Sequence, residues 1–176
     1  FEIGDPAVPF LIKALKNEDP GIRNRAARLL GDLQAEAAVD SLAELLDDQK
    51  YWVTRTAVYS LGNIATPATA APLKKALQHY KPAVRQAALY SLDELQDKST
   101  IPDIAEMMVT DRDQYIRWQA MLVLKSLEEG AEVKALIKTL ENKKALIAAR
   151  RNAATILGEL KVEAALPPLY GVLDNK

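Results

Sequence analysis

Cysteine is absent from this 176-residue chain, and histidine occurs once, as His79. Without thiols there is no disulfide framework, no thiolate metal site and no cysteine nucleophile. One imidazole leaves too few ligands for a conventional zinc site, so no metal and no cofactor are expected. An excess of one charge is missing too. A net charge of −1 and a pI near 6.0 give no global attraction to nucleic acid or to an anionic membrane surface. No apolar run approaches the roughly 20 residues needed to span a bilayer. The opening Phe1-Glu2-Ile3-Gly4-Asp5-Pro6 lacks the basic-then-apolar pattern of a signal peptide. The compartment stays open. There is no Gly-rich phosphate loop, nucleophile elbow or HExxH motif. What the chain does have is 49% hydrophobic and 27% charged residues, enough for a core and against disorder.

It also has a repeat. Ile22-Arg23-Asn24-Arg25-Ala26-Ala27-Arg28-Leu29-Leu30-Gly31-Asp32-Leu33 returns as Val53 to Ile64, Val84 to Leu95, Ile116 to Leu127 and Ala149 to Leu160, with starts 31, 31, 32 and 33 residues apart. A fixed period in this range signals an array whose units bury apolar faces only against their neighbours. Upstream of each copy lies a second apolar pair with the i, i+4 spacing of one helical face. The pairs are Leu11/Leu15, Leu42/Leu46, Leu73/Leu77, Ile104/Met108 and Leu136/Leu140, with Leu169/Leu173 beyond the last copy. Each unit is therefore a short first helix, a polar turn and a longer second helix. Asp19-Pro20 and Asp5-Pro6 place a capping carboxylate before a first-turn proline, whereas Lys81-Pro82 lacks the cap. Thr100 and Asp103 have capping-box spacing. Gly31, Gly62 and Gly158 near the second-helix ends suit either tight packing or a left-handed exit; Asp93 and Lys125 replace them in the other copies.

Counting from each starting aliphatic residue, offset 4 is always alanine (Ala26, Ala57, Ala88, Ala120, Ala153) and offset 8 always leucine (Leu30, Leu61, Leu92, Leu124, Leu157). Offset 11 is Leu33, Ile64, Leu95, Leu127 and Leu160. These columns are expected in the core. The pattern V-R-x-x-A-A-x-x-L-G-x-[IL], after first helices such as Ala7-Val8-Pro9-Phe10-Leu11 and Ala38-Val39-Asp40-Ser41-Leu42, resembles the HEAT repeats of the phycobilisome-lyase type. The resemblance covers nearly the whole chain. It implies an all-α, right-handed α-solenoid of helical hairpins, read as one array over 1–176. Full repeats are expected at 5–35, 36–66, 67–98, 99–130 and 131–161, with partial repeats at 1–4 and 162–176. Residues 2–5 read as the tail of an earlier helix and 163–173 as the first helix of a further pair, so a longer parent array is expected.

In arrays of this family the second helices line the concave surface, which places offsets −2, −1, +2, +3 and +6 on a groove. Those positions hold Tyr51, Trp52, Arg55, Tyr59, Gln86, Tyr90, Tyr115, Trp118, Arg28 and Arg151, the candidate partner-binding residues. Both tryptophans fall there and no Asp or Glu does; Asp32, Glu94 and Glu159, at offset 10, are placed at the margin. Aromatic residues and arginine are the types enriched at binding hot spots. A protein or an extended acidic or aromatic-containing peptide suits such a basic, aromatic groove, and the function expected is that of a scaffold or adaptor. Arg23, Arg85, Arg117 and Arg150 at offset 1 are set apart, because in this family that arginine commonly pairs with an acid of a neighbouring repeat.

Enzymatic readings rank below binding. His79 beside Tyr80 reads as a turn residue, and Asp47-Asp48 and Asp111/Asp113 as capping acids. The HEAT-like deoxyhypusine hydroxylases hold iron with His-Glu pairs, and none occurs here. The phycobilisome bilin lyases, which act with a partner subunit on a linear tetrapyrrole, supply the alternative function, since an aromatic, arginine-bearing groove suits a bilin. HEAT-like alkylpurine DNA glycosylases use a strongly basic face with tryptophans and a catalytic aspartate. The net charge of −1 and the acid-free groove columns place nucleic-acid binding lower still.

Overall fold

The computed structural model describes residues 5–162 together with Pro167. Their regular structure is helical throughout. Two compact units divide the chain, Phe1–Thr100 and Ile101–Lys176. The first holds α1 (Val8–Ala14), α2 (Pro20–Asp32), α3 (Val39–Glu44), α4 (Tyr51–Ile64), α5 (Ala70–Ala76) and α6 (Pro82–Leu95). The second holds α7 (Ile101–Thr110), α8 (Gln114–Leu127), α9 (Ala131–Glu141) and α10 (Ile147–Glu159). The helix tail expected at 2–5 and the further first helix expected at 163–173 fall largely outside the described residues, and so does the Asp5 side chain.

Short and long helices alternate because apolar spacing and breakers alternate. Asp19 accepts the Gly21 N–H at 2.6 Å and Asp113 accepts the Tyr115 N–H at 2.9 Å, starting α2 and α8 with carboxylate caps. Thr100 differs from expectation: it is buried, and its hydroxyl donates to the Asp97 carbonyl at 2.7 Å. The alanine column at offset 4 and the leucine column at offset 8 are buried in every copy. So are Leu15, Leu42, Leu46, Leu73, Leu77, Ile104, Met108, Leu136 and Leu140 of the first helices. Offset 11 does not behave as one column. Ile64 and Leu127 are buried, but Leu33 is 42% and Leu160 40% exposed. Leu33 follows α2 as its C-cap, and α2 has a second-helix neighbour on one side only among the described residues; Leu160 borders a cavity beside Trp118.

In the first unit α4 packs against both α2 and α6, and small residues let it do so. A Cβ added at Gly31 would stand 2.7 Å from the Ser60 Cα, and one at Gly62 would stand 2.6 Å from the Ser91 Cβ. Each serine spends its hydroxyl across the joint. Ser60 donates to the Ala27 carbonyl at 2.8 Å and Ser91 to the Val58 carbonyl at 3.2 Å. Tight packing is thus what Gly31 and Gly62 provide. The left-handed exits lie three residues later, at Gln34, Ala65 and Gln96, and again at Lys161, none of them glycine. The fourth copy turns at Gly130 instead.

The second unit packs differently. Its equivalent joint would set Met121 and Lys125 against Ile156, side chains too large for close approach. Helix α10 accordingly rests chiefly on α9 and α7, and the Asn152 amide donates to the Val109 carbonyl at 2.8 Å.

The offset-1 arginines close the turn of their own hairpin. Nη1 of Arg23 donates to the Asn17 and Glu18 carbonyls, that of Arg85 to His79 and Tyr80, and that of Arg117 to Asp111 and Arg112. Arg150 Nε reaches the Leu140 carbonyl at 3.2 Å. The expected pairing with a neighbouring repeat is made by Arg23, whose Nε and Nη2 donate to both oxygens of Asp48 at 2.6 and 2.9 Å. Burial raises the Asp48 pKa, but hydrogen bonds from Arg23 and the Lys50 N–H, with the two nearby positive charges, outweigh it and hold the carboxyl below its ordinary value.

Candidate functional site: the face of the second helices

At about 100° per residue, offsets −1, +2, +6 and +10 share roughly 80° of a helix surface. The side chains sort accordingly. Arg28, Arg55, Tyr51, Tyr59, Tyr90, Tyr115, Trp118 and Arg151 are exposed, whereas Trp52 and Gln86 are half-buried. Offset +3 splits: Arg25 is exposed, but Ala87 and Gln119 are buried and Asn152 is spent on the Val109 carbonyl. Offset +10 joins the expected groove, because it lies only about 40° round from offset +6. The acids assigned to the margin therefore sit on the face itself.

In the first unit a cavity of about 720 Å³ opens across the C-terminal ends of α2, α4 and α6. Tyr59, Tyr90, Asp32, Asn63 and Glu94 line it together with Gln34, whose amide donates to the Asn63 carbonyl at 3.0 Å. The lining contains no lysine or arginine. Arg28 and Arg55 lie one to two turns nearer the helix N-termini, outside it. The exposed charges on these second helices are thus graded, with Arg28 and Arg55 toward one end and Asp32 and Glu94 at the other. A basic, aromatic face with these acids at its margin was expected; sequence columns list positions without their height along the helix, so they did not separate the cationic from the anionic end.

Toward the N-terminal ends, the Lys81 ammonium lies 5.6 Å from the Tyr51 ring centroid and 5.3 Å from that of Tyr80, a double cation–π arrangement. His79, 4.5 Å from Tyr80 between ring centroids, accepts the Lys81 N–H at Nδ1. Burial, then the Arg85 and Lys81 charges, hold its pKa below the ordinary imidazole value. Tyr51 is shared between this structural cluster and the open face. Gln86 reaches the Tyr90 hydroxyl at 3.4 Å.

In the second unit Trp118, 50% exposed, stacks on Tyr115 with ring centroids 6.0 Å apart. It also walls a smaller cavity, about 190 Å³, between α8 and α10, with Asn152, Thr155 and Glu159 opposite. Arg151 does not line it.

Comparison with known proteins follows this geometry. The model for HEAT repeats matches residues 2–62 and 48–125. The chain belongs to the HEAT-repeat family. A PBS lyase HEAT-like repeat is matched at residues 149–175. No curated protein matches. Among solved structures, the complex of CpcE and CpcF of phycocyanin lyase from Nostoc sp. PCC7120 is similar at 25% identity and a TM-score of 0.60, covering 93% of this chain and 68% of that one. An engineered protein matches at 22% identity and a TM-score of 0.58, over 94% of this chain and 84% of its own. A designed armadillo repeat protein in complex with peptide (KR)4 matches at 18% identity and a TM-score of 0.55, over 96% and 92%. These last two similarities show the fold alone. The HEAT-repeat chain is an all-α solenoid of helical hairpins, as its period implied.

Proposed function

We propose that this HEAT-repeat chain is a scaffold or adaptor that clasps a partner protein or extended peptide along its second helices. The observation that carries this reading is the large aromatic side chains left open on the second helices of each unit, Tyr59 and Tyr90 in the first and Trp118 in the second. Burying such groups is what binding would gain. Arg28 and Arg55 suit acidic side chains of the partner, and Arg151 offers the same on α10. Under this reading the chain binds and does no chemistry of its own. Affinity capture from source lysate with wild type, Tyr59→Ala/Tyr90→Ala and Trp118→Ala tests it. A partner retained by wild type should be lost or weakened by roughly 1–3 kcal/mol per hot-spot side chain, and by a similar amount in Arg55→Ala, with the melting temperature little changed. Equal retention by all variants would return these aromatics to packing.

A second reading is supported by the similarity to the phycocyanin lyase complex. In it the chain is a bilin lyase-type subunit, with the aromatic face against a linear tetrapyrrole. A shift in the visible spectrum of phycocyanobilin on mixing, lost in Trp118→Ala, separates it from the adaptor reading.

A further inference from the structure

We infer that the cavity at the C-terminal ends of α2, α4 and α6 receives two basic side chains from an extended segment of the partner, one at Asp32 and one at Glu94. The inference rests on the reading that the second helices bind a protein partner, and it names the chemistry of one stretch of that partner.

Placement is the first argument. Asp32 is the last residue of α2 and Glu94 the penultimate residue of α6. Helix C-termini carry partial negative charge, which favours lysine or arginine in the last turn and disfavours carboxylates. Helices α2, α4 and α6 have no basic residue in their last turn, and two of the three put an acid there. That arrangement works against the local stability of the helices and concentrates negative potential where their ends converge.

Engagement is the second. Several turn acids of this unit are occupied: Asp19 caps α2, Asp47 pairs with Lys75 at 2.7 Å, Asp48 holds Arg23, and Asp97 accepts from Ser99. Asp32 and Glu94 are exposed and have neither an ion pair nor a hydrogen bond among the described residues. The same cavity presents the rings of Tyr59 and Tyr90, surfaces on which a guanidinium stacks.

Spacing makes the ligand specific. Packed helices lie about 8–10 Å apart, so α2 and α6, separated by α4, are roughly 16–20 Å apart. An extended chain advances about 3.3 Å per residue and turns successive side chains to opposite faces, so the two basic residues fall about six positions apart. One cation cannot bridge the two carboxylates at that distance.

The test uses the full chain and a fluorescein-labelled peptide, Arg-Gly-Ser-Gly-Ser-Gly-Arg, followed by anisotropy. Its counterparts carry glutamate in place of both arginines, or the two arginines adjacent. Wild type should bind the spaced arginine peptide, more weakly as salt rises, and in preference to both counterparts. Asp32→Asn with Glu94→Gln should weaken that binding at least tenfold, while the melting temperature stays the same or rises because two unfavourable helix-end charges are gone. Equal binding of arginine and glutamate peptides, or an unchanged affinity in the double variant, would overturn the inference. If the captured partner needs Tyr59 and Tyr90 but ignores Asp32→Asn/Glu94→Gln, the inference falls and the adaptor reading stands. If no face variant affects the partner, both fall.

Discussion

Replacing Gly31 with alanine sets two local effects against each other. In a solvent-facing helix the exchange stabilises by about 1 kcal/mol, through backbone entropy. At Gly31 the new methyl would stand 2.7 Å from the Ser60 Cα, about 0.7 Å inside the 3.4 Å where ordinary contact begins. The obstacle is backbone, so α2 and α4 have to separate. Overpacking of this kind costs about 1–3 kcal/mol. The Ser60 hydroxyl bond to Ala27, worth about 0.5–1.5 kcal/mol, is stretched at the same time. The net expectation is a loss of about 1–3 kcal/mol. Gly158→Ala is the internal control, since nothing lies within 4 Å of a Cβ there, and it should gain up to about 1 kcal/mol. The chain has one tryptophan in each unit, Trp52 and Trp118, so urea unfolding can be followed by fluorescence in Trp118→Phe and Trp52→Phe backgrounds. This keeps the units separate should they not unfold together. A Gly31→Ala chain as stable as its parent, or more so, would refute the claim that the glycine serves helix approach.

Acid titration checks the Arg23–Asp48 pair. The Asp48 pKa is lowered in the folded chain, so its stabilisation is complete above the unfolded value near pH 3.9 and disappears as the pH falls through the folded value. Asp48→Asn should destabilise by about 1–3 kcal/mol at pH 6, and the gap should narrow in acid; a gap that persists at pH 2 would contradict this. Ala65, exposed at φ 48, occupies a conformation that costs an L-residue about 1 kcal/mol, so Ala65→Gly should raise the midpoint of chemical unfolding rather than lower it.

The sequence by itself determined the repeat, the hairpin and the two core columns of alanine and leucine. Apolar periodicity and capping act within a few residues of chain, and Asp19 and Asp113 cap helices where their spacing says they should. It also left Tyr59 and Tyr90 on one side of α4 and α6, and Trp118 on the side of α8 away from its own core columns, because a helix converts offset directly into direction. Only the tertiary structure decided what separates helices 31 residues apart in the chain. That distance depends on side-chain volumes from both partners at once, Gly31 with Ser60 and Gly62 with Ser91 on one hand, Met121 and Lys125 with Ile156 on the other. From it follow the gap beside Trp118 and the placing of Asp32 and Glu94 in the lining of one cavity. The left-handed exits at Gln34, Ala65, Gln96 and Lys161 carry no glycine to announce them, because a backbone angle that a side chain adopts against its own preference leaves no mark in the residue type.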